Sequence, residues 1–60
     1  MDPKFPPGTA VKCQATEQIG SVVHNILQDD GNWTVIVDIS HGQATLRRHF
    51  AESELVEVTP

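Results

Sequence analysis

Sixty residues make one domain at most, and a chain this short buries only about 60% of its unfolded surface, so its core is thin. Eight acidic against four basic residues give a formal net charge of −4, a balance that disfavours nucleic acid and anionic membrane surfaces as partners. The single cysteine, Cys13, rules out an internal disulfide and fits a reducing compartment. There is no apolar leader after Met1 and no run near the ~20 apolar residues of a membrane helix, so the expectation is a cytoplasmic protein without membrane insertion.

Residues 1–8 hold three of the four prolines and read as an extended lead-in, with Phe5 as the anchor that folds back on the domain spanning 9–60. Pro7-Gly8 is a turn signal. Thr9 to Gln14 is the first strand, with Val11 and Cys13 on one face and Lys12 and Gln14 on the other. Gly20 to Leu27 is the second. Its apolar residues Val22, Val23, Ile26 and Leu27 do not alternate, and a bulge near His24 and Asn25 would bring them all to the core. Gln28-Asp29-Asp30-Gly31-Asn32 marks a hairpin in which Gly31 takes positive φ. The third strand, Trp33 to Ile39, is the expected centre of the sheet, with Trp33, Val35, Val37 and Ile39 on one face. Ser40-His41-Gly42-Gln43 is a second tight turn. Ala44 to Phe50 follows as the fourth strand, with Ala44, Leu46, Arg48 and Phe50 on one face and Thr45, Arg47 and His49 on the other. Leu46 and Phe50 are expected in the core, which places Arg48 at a rim with its stem buried and its head in water. Ala51-Glu52-Ser53-Glu54 suits a single 3₁₀ turn, and Leu55, Val56 and Val58 give a short last strand. This order defines an all-β, five-stranded SH3-like barrel, whose closure would remove exposed edges.

No constellation in the chain carries an evident chemistry. The spacing of His24, His41 and His49 matches no compact metal-ligand motif, so neither a metal nor a cofactor is expected. Ser21 and Ser53 have no neighbouring base, and Asp29-Asp30 sit on a hairpin tip where solvation should keep them ordinary carboxylates. Arg47-Arg48-His49 is the one basic cluster. It either contacts an acidic partner or pairs across strands with Asp38 or Glu52. Trp33 either packs in the core or stands exposed as a binding platform. With no tyrosine and two phenylalanines, the aromatic groove that receives proline-rich peptides is missing.

Three segments carry a resemblance. Pro7-Gly8-Thr9-Ala10-Val11-Lys12 resembles the "PGxxVxV" first strand of small photosynthetic electron-transport accessory subunits. Ile19-Gly20-Ser21-Val22-Val23 sits where those proteins have a "GxV" second strand. His49 to Val58 is similar to their "FxxxELxxV" end. The group includes the ferredoxin-docking subunit of photosystem I, the variable chain of ferredoxin–thioredoxin reductase, and small subunits of the photosynthetic NDH and cytochrome b6f complexes. The resemblance implies a peripheral subunit of a redox complex.

The expected function is therefore a non-catalytic protein-binding or accessory module, not an enzyme. Its partner-binding residues are expected to be His41, Arg47, Arg48 and His49, with Trp33 and the Asp29–Asn32 hairpin as the next surface. A Tudor-like nucleic-acid-associated module is the alternative. A remote one is an oligomeric enzyme similar to the plasmid-borne dihydrofolate reductase, whose Val-Gln-Ile-Tyr segment has Gln43-Ala44-Thr45-Leu46 as its nearest counterpart here.

Overall fold

Alternation of β-branched residues decides the centre of this molecule. Val35, Val37 and Ile39 point to one side of a nine-residue strand and are buried there, and the other strands assemble around them. The computed structural model describes residues 2–59, so Met1 and Pro60, the outer limits of the lead-in and of the domain, lie outside the described residues. The strands are β1 (Ala10–Cys13), β2 (Ile19–Leu27), β3 (Trp33–His41), β4 (Ala44–Ala51) and β5 (Leu55–Glu57), with a 3₁₀ turn at Glu52–Glu54. All pairings are antiparallel, in the order β4-β3-β2-β1-β5. The sheet is not closed: β4 and β5 are its two edges.

The core gathers Phe5, Val11, Cys13, Val22, Val35, Val37, Ile39 and Leu55, with Phe50 packed against it. Phe5 folds back from the lead-in to 2% exposure, and its carbonyl accepts a 2.9 Å hydrogen bond from the Asn25 side chain. The lead-in is further fixed where the Gly8 N–H donates to the Val22 carbonyl and the Lys4 N–H to the Glu52 carboxylate.

The β2–β3 and β3–β4 hairpins follow from their glycines. In the β2–β3 loop the Gly31 N–H bonds the Gln28 carbonyl at 3.0 Å, the Gln28 N–H bonds the Asn32 carbonyl at 2.8 Å, and Gly31 lies at φ +86°. This is a turn closed by a residue at positive φ, as the sequence predicts. In the β3–β4 loop only Gly42 and Gln43 separate the paired His41 and Ala44. Gly42 at φ +64° holds the first loop position, where a type II′ turn needs glycine. Gly20 has a different role. A Cβ there would come within 2.6 Å of both the Asp38 carbonyl and a Val37 methyl, so strands β2 and β3 approach too closely for any side chain.

Two expectations change. The bulge falls between Val22 and His24, one residue earlier than the pattern suggested. It brings Val22 to the core, but Ile26 and Leu27 stay exposed, at 41% and 55%. Ile26, opposite Thr34, lies on the face turned away from the core, and Leu27, opposite Trp33, lies beyond the reach of β1, which pairs only with Ile19 to Ser21. Leu46 and Phe50 are half-buried rather than core, because β4 is an edge strand.

Candidate functional site

The pleat splits the basic cluster. Arg47 lies opposite Asp38 and His49 opposite Ile36, on the face of the sheet turned away from the core. Arg48 lies opposite Val37 and belongs by alternation to the other side, with Leu46 and Phe50. His41 closes β3 opposite Ala44, in register with that same side. All four are exposed. The expected patch is therefore divided between the two sides: Arg48 with His41 on one, and Arg47 with His49 on the other, where His24, also opposite Ile36, joins them.

Arg47 is engaged. Its Nε donates to Asp38 Oδ1 at 2.8 Å and its Nη2 to Oδ2 at 3.1 Å, a bidentate pair between neighbouring strands. These hydrogen bonds, with the attraction between the charges, hold the Asp38 carboxyl below its ordinary range and raise Arg47. Of the two cross-strand pairings the sequence allowed for this cluster, the one with Asp38 forms. A Glu52 oxygen instead accepts the Lys4 N–H at 2.7 Å.

Trp33 is neither core nor fully exposed. It starts β3, half-buried, in the wall of an open cavity of about 440 Å³. Gln28, Asp30, Asn32 and Thr34 line one side, and Ala51, Glu52 and Ser53 the other. The β2–β3 hairpin thus faces the 3₁₀ turn across the indole. The Trp33 Nε1 is shut off from solvent and has no hydrogen-bond acceptor among the described residues. Asp30 is not an ordinary tip carboxylate. The Asn32 N–H donates to its Oδ1 at 3.0 Å and lowers its pKa. Glu54 closes the 3₁₀ turn by accepting the Ala51 N–H at 2.8 Å. Glu52 and Ser53 meet Trp33 without any local signal, since they are some twenty residues away in the chain.

Cys13 is buried and free. Hydrogen bonds from Thr16, the backbone one foremost, draw its thiol pKa down. Among the described residues no three His, Cys, Asp or Glu side chains stand close enough to hold a metal ion, and no helix is long and apolar enough to cross a membrane.

Comparison with protein-family models, with curated proteins and with solved structures gave no match.

Proposed function

We propose that this domain is a non-catalytic protein-binding module, built as a small SH3-like barrel whose edges stay open, and that it docks an acidic partner along β4. One observation carries the reading. β4 holds Arg47, Arg48 and His49 and no acidic residue, and it forms an unpaired edge on a chain of net charge −4. A region where the field changes sign orients a partner, and an open edge offers it backbone groups as well. Arg48 is exposed and belongs to no ion pair among the described residues, so its guanidinium is available to a partner carboxylate. Arg47 contributes by exchanging or sharing Asp38. The short segments at Pro7–Lys12, Ile19–Val23 and His49–Val58 support placing the module among peripheral subunits of redox complexes.

The test is affinity capture from the native host under gentle salt, followed by mass spectrometry. The wild-type domain should retain a protein partner, and Arg47→Glu with Arg48→Glu should lose it while circular dichroism still reports a folded sheet. Arg48→Glu alone avoids setting a carboxylate against Asp38 and serves as the second variant. Unchanged capture by both variants would remove β4 as the docking surface. Capture of no protein at all would remove the protein-binding reading itself.

A further inference from the structure

The cavity beside Trp33 has the opposite character to β4. Two carboxylates line it, Asp30 and Glu52, together with the amides of Gln28 and Asn32 and the hydroxyls of Thr34 and Ser53. Among the described residues no lysine, arginine or histidine lines it. Each carboxylate has one oxygen engaged by a backbone N–H, from Asn32 and from Lys4. Such bonds orient a carboxylate and leave its charge in place. The nearest cation in sequence to these contacts, the Lys4 ammonium, sits 5.4 Å from the centre of the Phe5 ring. Neither carboxylate forms an ion pair among the described residues. Uncompensated negative charge therefore meets an aromatic wall in a recess of the size that holds small ligands or single side chains.

We propose that this cavity seats the cationic side chain, preferably a guanidinium, of a basic segment on a protein partner. Trp33 is its stacking wall, and Asp30 and Glu52 are its counter-charges. The inference rests on the protein-binding reading but uses a different surface from β4. A planar guanidinium satisfies both halves of the site, because it stacks on an aromatic face and forks onto a carboxylate. The planar fork separates an arginine-bearing peptide from a simple amine, which has neither a flat face to stack nor paired donors in one plane.

Trp33 is the chain's single tryptophan, so its emission reports on the cavity directly. The purified domain is titrated with a short arginine-containing peptide, with the same peptide carrying glutamate in place of arginine, and with spermidine. A saturable change is expected with the arginine peptide and none with the glutamate peptide. Glu52→Gln and Asp30→Asn keep an acceptor oxygen for the Lys4 and Asn32 N–H groups, so both variants should fold. Each should weaken binding about threefold and the two together about tenfold, in the range of exposed charge pairs. Glu17→Gln and Glu57→Gln remove the same charge elsewhere and should leave affinity unchanged. Arg47→Glu with Arg48→Glu should not weaken it either. Equal loss with the remote and the cavity variants would reduce the effect to general attraction by an acidic domain and overturn the site. Equal affinity for spermidine would overturn the peptide assignment, and a flat titration would overturn the site altogether. If the titration is flat while a captured partner still needs β4, the cavity fails and the protein-binding reading stands.

Discussion

The two faces of β3 differ in their residues and in what covers them. On one face Val35, Val37 and Ile39 join side chains from the lead-in, β1, β2 and β5 and lose nearly all contact with water. On the other, Thr34, Ile36 and Asp38 are flanked by the cross-strand neighbours Ile26, His24 and Ser21 on β2 and Ala51, His49 and Arg47 on β4. Ile36 is still reduced to 3% exposure, outside the main core. A central strand thus buries an isoleucine on its open face through flanking side chains alone. The packed face needs a second layer and recruits it from Phe5 and Leu55. The difference shows where stability is concentrated: on the side where distant parts of the chain meet.

The sharpest way to break that contrast is to remove the recruited layer. Phe5→Ala empties the packed face of its largest side chain and should cost about 3–5 kcal/mol. For a domain of this size that is close to its whole stability, so the variant should be largely unfolded by circular dichroism at room temperature. A cooperative melt within a few degrees of wild type would mean that the lead-in only decorates the sheet.

Next come two glycines that differ in what they protect. Gly20→Ala forces a methyl group against the Asp38 carbonyl and the Val37 side chain, backbone included, and should cost about 1–3 kcal/mol through overpacking. Gly31→Val meets no atom within 4 Å, so its cost comes from placing a β-branched residue at positive φ, and should exceed about 1 kcal/mol. Denaturant melts of both variants measure the difference. If Gly31→Val is neutral, the hairpin geometry is misassigned. If Gly20→Ala is neutral, the close approach of β2 and β3 relaxes freely.

These elements also show how far the sequence could be read. The hairpin at Gly31, the alternation along β3 and the anchoring by Phe5 are local or periodic signals, and the fold follows them. What escaped was set by neighbours at long range. Ile26 and Leu27 read as core residues, but the bulge turns Ile26 to the outward face and the shortness of β1 leaves Leu27 without cover. Arg47-Arg48-His49 reads as one patch until the pleat divides it, which alternation already foretold. The Trp33 cavity depends on the 3₁₀ turn reaching the β2–β3 hairpin, a contact with no mark in either segment alone.

The smallest effect concerns the outward face, at the Asp38–Arg47 pair. The folded-state pKa of Asp38 lies below its ordinary value because Arg47 binds its charged form. Its contribution to stability is therefore present above the ordinary carboxylate pKa, about 3.9, and disappears as the pH falls through the lower folded value. Arg47 keeps its charge throughout, so the carboxylate alone sets the window. Both side chains are substantially exposed, at 30% for Asp38 and 60% for Arg47, so solvent screens the pair and salt should shrink its effect. Asp38→Asn should lower the melting temperature slightly at neutral pH, and the gap to wild type should close in the acid range below the ordinary carboxylate pKa. A gap that persists unchanged in strong acid would show that the substitution acts through packing against Ser21 or Ile36 and not through charge. The same variant also bears on function. It releases Arg47 from its bidentate partner, so it should capture an acidic partner more tightly than wild type even though it is the less stable protein. Loss of capture would mean instead that Asp38 holds Arg47 in the orientation the partner needs.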